Sequence, residues 1–141
     1  MRFLTALVAL GLIASAPAQA AFPEKDITIV IPYGPGGGFD TLTRKLSPYI
    51  EEYFREKSGK SFNKIKVVPK NMPGASGKKA AVYTAKQKPN GYTVQIFNIP
   101  GHGLPYIKGE NPGYDIEGYS WLNRVGGDSY VVVVSKEGPY K

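Results

Sequence analysis

The chain has 141 residues, with 18 Lys and Arg against 11 Asp and Glu, a formal net charge of +7, a single histidine and no cysteine. No disulfide or thiolate site is possible, and a zinc site built on cysteines or paired histidines is excluded. The basic residues are spread along the sequence rather than clustered, which argues against nucleic-acid binding, while a diffuse positive field favours small anions without naming one.

The chain opens on Arg2 and an apolar run from Phe3 to Ala14, too short to cross a bilayer as a helix. Ala18-Gln19-Ala20 places small residues where a signal peptidase reads. Residues 1–20 therefore read as a cleavable secretory signal peptide rather than a membrane anchor. Residues 21–141 form the mature part, enough for one domain with a real core, and the expected location is the periplasm. An exported chain without cysteines suits that compartment.

The mature part alternates strands and helices. Asp26-Ile27-Thr28-Ile29-Val30-Ile31 is β-branched and nearly all apolar, the pattern of a central strand covered on both faces. Pro32 to Gly38 ends it, and a helix is expected from about Asp40. Leu42, Leu46, Tyr49, Ile50 and Tyr53 form its apolar stripe, Pro48 bends it and Gly59 stops it. Ile65-Lys66-Val67-Val68 reads as a second strand, Lys78 to Lys88 as a second helix, Pro89-Asn90-Gly91 as a turn and Tyr92 to Phe97 as a third strand. Residues 98–118 read as loop, Trp121-Leu122 as packing against the sheet, and Tyr130 to Val134 as a fourth strand. The β-α-β-α-β order predicts an α/β fold with a mainly parallel sheet flanked by helices.

The strongest local signal is Tyr33-Gly34-Pro35-Gly36-Gly37-Gly38-Phe39-Asp40, between a buried strand and a helix start. Ligands of open α/β sheets sit at the carboxyl ends of the strands. A helix N-terminus there offers unpaired N–H groups and a positive dipole end, and glycines let a ligand approach the backbone. The result is an anion site built from main chain. A dinucleotide fingerprint starting at Gly34 fails at Phe39. A phosphate loop ending at Gly77-Lys78 fails because Lys79 follows and Met72 stands where the opening glycine belongs. Asp40 adds negative charge that would crowd a polyphosphate, or it caps the helix. A compact carboxylate fits better; a turn that merely reverses the chain is the plain alternative. The second turn, Gly74-Ala75-Ser76-Gly77, should lie at the same sheet edge, so that two helix N-termini face one ligand, with Ser76 as a hydroxyl donor or an N-cap.

Three motifs in order resemble the tripartite tricarboxylate transporter receptor family, the TctC-like or Bug extracytoplasmic solute-binding proteins. They are Pro32 to Asp40, Asn71-Met72-Pro73-Gly74-Ala75-Ser76-Gly77 and Pro89-Asn90-Gly91-Tyr92-Thr93, behind a start at Phe22-Pro23-Glu24-Lys25-Asp26-Ile27 that also looks like the family's opening. The resemblance spans residues 21–141. It implies a periplasmic-binding-protein-like lobe, the first of two hinged lobes, with the second lobe missing from a chain that ends at Lys141. It implies a small organic carboxylate as ligand, a di- or tricarboxylate or similar acid, held by backbone amides. It also implies membrane permease subunits of a tripartite transporter as partners, and neither a cofactor nor a metal. Carried over residue by residue, the ligand-binding set is Tyr33, Gly34, Gly36, Gly37, Gly38 and Asp40 from the first loop, Gly74, Ala75 and Ser76 from the second, and Asn98 after the third strand. Asn90 stands where the family commonly has aspartate. Ser76 stands where glycine is frequent, which alters how closely a ligand can approach.

Competing classes are weaker. A hydrolase would need His102, Asp128 and Ser76 or Ser129, but Gly-x-Ser-x-Gly is absent. His102 reads as a loop residue whose best functional role is to line the cleft. A truncated fragment that binds nothing, or an interaction module using its ten tyrosines, is the other alternative.

Overall fold

The computed structural model describes residues 22–58 and 64–127. The signal-peptide reading of residues 1–20 and the strand expected at Tyr130 to Val134 lie outside these residues, as do Asp128, Ser129 and Gly59.

Three strands form one parallel sheet in the order β2-β1-β3: β1 is Ile27–Ile31, β2 Val67–Asn71 and β3 Thr93–Gln95. In register, Ile29 lies opposite Pro69 on one side and Val94 on the other. As the central strand, β1 is buried on both faces, with Ile27, Ile29, Val30 and Ile31 all at 5% exposure or less. Complete burial of a side chain such as Ile31 contributes about 1.5–3 kcal/mol. Helix α1, Gly38–Ser58, crosses from β1 to β2, and α2, Lys78–Ala85, crosses from β2 to β3. A third short helix, α3 at Leu104–Ile107, continues from a wide turn at Ile99–Gly103, within the region expected to be loop. The α/β fold with a parallel sheet and flanking helices is therefore present, with shorter elements than the pattern suggested for α2 and β3.

The face of α1 differs from its apolar stripe. Tyr49 and Tyr53 are exposed, at 69% and 56%, whereas Thr43 and Ser47 are buried. The reason is local chemistry. Thr43 Oγ1 donates to the Phe39 carbonyl at 2.6 Å and Ser47 Oγ to the Thr43 carbonyl at 2.8 Å. Each hydroxyl is satisfied by its own helix four residues back, so two small side chains can face the sheet and bring the helix close. The helix runs through Pro48, which is exposed. In α2 the fully buried Ala80 and Ala81 serve the same close approach without polar groups.

Trp121 and Leu122 do not cover the sheet, since they are 53% and 79% exposed. Trp121 meets Phe97 edge-on at 4.9 Å, at the border of an aromatic group that includes Tyr114 and Tyr119. At the other end, Phe22 packs on Phe54 and Tyr92, and the Tyr92 hydroxyl accepts the Glu24 N–H at 2.8 Å.

The two outer edges of the sheet differ. Ile27 and Met72 N–H groups bond across the β1–β2 pair, which sets residues 67, 69 and 71 facing outward. There the Val67 N–H is taken by the Glu51 carboxylate at 2.8 Å, and Pro69 has none to offer. On the far side, Thr28 N–H donates to the Tyr92 carbonyl and Ile96 N–H to the Val30 carbonyl, so Thr93 and Gln95 present their backbone outward.

Candidate ligand-binding site

Three loops leave the carboxyl ends of the strands. The first, residues 32–37, follows β1 into α1. Gly36, Gly37 and Gly38 are exposed, and Gly36 has φ 83, a conformation open to glycine. The Gly37 carbonyl accepts the first helical N–H, from Thr41, at 2.9 Å. Gly38 opens the helix, and its N–H bonds to no acceptor among the described residues, as the start of a helix dictates.

Gly36 and Asp40 depart from the expected cradle. The Gly36 N–H donates to Asp40 Oδ2 at 2.9 Å and is not free. Asp40 is 5% exposed, and its other oxygen accepts from Arg44 Nε at 2.9 Å and Asn71 Nδ2 at 3.0 Å. Asn71 also donates to the Tyr33 carbonyl at 3.0 Å and accepts from Arg44 at 3.0 Å. The Arg44 hydrogen bond, then the Gly36 N–H and the Asn71 amide, hold the Asp40 carboxyl at about 2 against the opposing effect of burial. Asp40 thus clasps the loop from inside its helix, in the manner of a carboxylate reaching back from the first turn. These bonds shape the loop from within.

The second loop, before α2, carries the strained backbone. Ala75 has φ 48 and Ser76 φ 52, followed by Gly77 at φ 95. Left-handed conformation costs a non-glycine residue roughly 1–2 kcal/mol. The turn is closed by Gly77 N–H to the Gly74 carbonyl at 3.0 Å and by Lys78 N–H to the Ala75 carbonyl. Ala75 and Ser76 are both exposed residues, and their N–H groups have no acceptor among the described residues. The N-cap of the helix that follows is Gly77 rather than Ser76.

Ala75 and Ser76 form one wall of a depression of about 260 Å³. Gly101 and Pro105 form another, and Asn111 and Tyr114 close it. Two charges stand on it, Lys78 and Glu110, both exposed, and Lys78 Nζ reaches the Asn111 carbonyl at 3.5 Å. The first loop contributes no residue to this depression, so the two glycine turns do not open into one hollow. The first loop is joined to the third instead. The Tyr33 hydroxyl accepts from Asn98 Nδ2 at 3.2 Å, while Asn98 Oδ1 accepts the Gly101 N–H at 3.4 Å. Tyr33 also stacks on Phe39 at 5.2 Å. Tyr33 and Asn98 therefore meet, as expected of loops at one sheet edge, but they bond to each other.

His102 does not line the depression. It is 1% exposed, lies on Phe97 at 4.4 Å between ring centres, and sits beneath Gly77. The Tyr114 hydroxyl bonds the His102 carbonyl at 2.7 Å. Burial raises the Tyr114 phenol, and with Tyr114 beside it pushes the Tyr119 phenol up to about 12, so both rings stay neutral under ordinary conditions. No group of three or more His, Cys, Asp or Glu gathers as a metal site among the described residues. The sequence places the loop from Asn98 to Gly101 at the cleft, and Gly101 does line the depression, whereas the contributions of Asn71 and Tyr114 escaped the reading of the sequence. Asn71 opens the Asn-Met-Pro-Gly-Ala motif, which was the available signal.

No family model matches the chain. Among curated proteins, the UPF0065 protein in the gbd 5' region of Cupriavidus necator is 31% identical over 140 residues, which is 96% of this chain and 39% of that protein. The chain thus spans about two fifths of that relative's length. Among solved structures, a periplasmic transporter aligns with TM-score 0.53 and 27% identity, over 67% of this chain and 29% of the other. The periplasmic binding protein BugD aligns with TM-score 0.50 and 28% identity, over 67% of this chain and 28% of the other. The strand order, the glycine turns and these likenesses agree: the chain is a homologue of the UPF0065 proteins, the Bug/TctC family, and matches a part of their length.

Proposed function

We propose that residues 21–141 are the first lobe of an extracytoplasmic solute-binding protein that captures a small organic carboxylate, with Ala75 and Ser76 as the principal contact. The carrying observation is that these two successive residues are held left-handed with both N–H groups unpaired at the wall of the 260 Å³ depression. Adjacent unpaired amides at the wall of a concavity suit an oxyanion, and Ser76 can add its hydroxyl. Gly74 shapes that turn. Gly38 supplies a further unpaired amide on the neighbouring loop, with Gly34, Gly36, Gly37 and Asp40 shaping it. Tyr33 and Asn98 fix the distance between the loops. Lys78 at the rim favours an anion, and Glu110 selects against excess negative charge. The recognition is by main chain, with no cofactor, metal or chemical step.

The periplasmic setting of this reading draws on the leader-like residues 1–20 and on the periplasmic relatives. The partner would be the permease subunits of a tripartite carboxylate transporter. Two or three charge-assisted hydrogen bonds supply about 4–8 kcal/mol gross, before ordering and desolvation costs. A micromolar site needs about 8 kcal/mol net. A single lobe therefore binds at roughly millimolar strength. The test is a titration of the ¹⁵N-labelled chain with succinate, followed at the backbone amides. Saturable shifts at Ala75 and Ser76 in the millimolar range support the reading; no shift there at tens of millimolar sinks it.

A further inference from the structure

His102 is the only histidine in the sequence and among the largest fully buried side chains, and its imidazole lies between its own loop and the second. One edge faces its own loop, with Nδ1 2.9 Å from the Asn98 carbonyl and 3.2 Å from the Asn98 N–H. Through Asn98 it is tied to the Tyr33 hydroxyl of the first loop. The other edge lies under the second loop. A Cβ on Gly77 would fall 2.5 Å from Nε2 and 2.8 Å from Cε1, with Pro32 Cβ at 3.2 Å on the other side. Nε2 itself is buried and has no hydrogen-bond partner among the described residues.

An orphaned buried nitrogen is unfavourable, so the ring is not there for a bond at that atom. What it supplies is shape: a flat five-membered ring that fills the gap beneath a left-handed glycine. Two left-handed non-glycine residues relax unless the backbone beside them is fixed. On the outer side the Gly77-to-Gly74 and Lys78-to-Ala75 bonds do this. On the inner side there is the imidazole. We propose that His102 is the positioning residue of the second turn, a wedge that sets the height of Gly77 and so aims the Ala75 and Ser76 amides into the depression. This rests on the reading of that turn as the ligand cradle, but its first test needs no ligand.

That test is a double-mutant cycle on the 141-residue chain with Gly77→Ala and His102→Asn. Asparagine keeps a polar atom near Asn98 and removes the ring edge below Gly77. The backbone strain of an alanine at position 77 is common to both backgrounds and cancels. Gly77→Ala is expected to lower the folding equilibrium constant about tenfold more beside His102 than beside asparagine. Equal losses in the two backgrounds overturn the wedge. If Gly77→Ala alone does not fold, recovery of folding by His102→Asn is the expected result, and failure to recover overturns the proposal.

The second readout is the backbone spectrum of His102→Asn. The ligand-free amide signals of Ala75 and Ser76 are expected to move while those of β1 stay in place. The Kd for succinate is expected to rise about tenfold, in proportion to one lost charge-assisted hydrogen bond. Unmoved Ala75 and Ser76 signals overturn the role of His102. If the unaltered chain ignores succinate, the carboxylate reading fails, whereas the cycle and the ligand-free signals still decide what His102 does.

Discussion

The Asp40 carboxylate accepts the Gly36 N–H at 2.9 Å, so the amide at the centre of the first glycine turn is already occupied from within the protein. With Arg44 and Asn71 on the other oxygen, the same carboxylate ties the turn to α1 and to the end of β2. The pH dependence follows. A group whose folded value is depressed stabilises the fold above its ordinary value and loses that contribution as the proton binds. For Asp40 the loss runs from pH 3.8 down to about 2. Asp40→Asn is expected to lower the urea midpoint at neutral pH and to flatten the fall in stability across that acid window. An unchanged acid limb in the variant would show that the clasp contributes nothing.

The close approach of α1 rests on Thr43, which is fully buried with its hydroxyl turned back on the Phe39 carbonyl. Thr43→Val keeps the volume and removes a group whose partner is also served by the helix, so it should cost less than about 1 kcal/mol. Thr43→Leu must push the helix off the sheet and should cost about 1–3 kcal/mol. Denaturant unfolding of the two variants measures the difference, and similar values would mean that the face has slack.

Ala75 and Ser76 carry strain that glycine would not. Ala75→Gly is expected to stabilise the chain by up to about 1 kcal/mol, the reverse of the usual sign for alanine to glycine in an ordered segment. A lower melting temperature in the variant would argue that the turn is held in another conformation.

At the alkaline end, burial keeps Tyr119 neutral up to about 12. A value raised above that of the unfolded chain gives stability that is complete below pH 10 and disappears as pH climbs towards 12. Tyr119 Oη donates to the Ala81 carbonyl at 2.7 Å, so Tyr119→Phe should cost about 1 kcal/mol at neutral pH and weaken the alkaline fall. Thermal unfolding at a series of pH values reads both effects.

The sheet was legible because its strands state their pattern openly. Ile27 to Ile31 is apolar at every position but one, and two helices separate it from its neighbours. The face of α1 was not legible, because spacing cannot show that a threonine and a serine hide their hydroxyls on their own helix while Tyr49 and Tyr53 stand in solvent. The turns were found by their glycines. Which amides remain free depends on Asp40, four residues from Gly36, and on Asn71, far away in sequence, and neither distance can be read from residue types. His102 was harder still: a histidine between two glycines looks like a surface loop, and only the position of Gly77 above it shows the contact.

Among the described residues, Glu51 and Pro69 leave the outer rim of β2 with little to offer another chain, whereas the rim of β3 keeps its donors at Thr93 and Gln95. Growth of this sheet is therefore one-sided. Any further ribbon of backbone, whether from the same polypeptide or from a stray neighbour at high concentration, has a single flank on which it can be zipped into place.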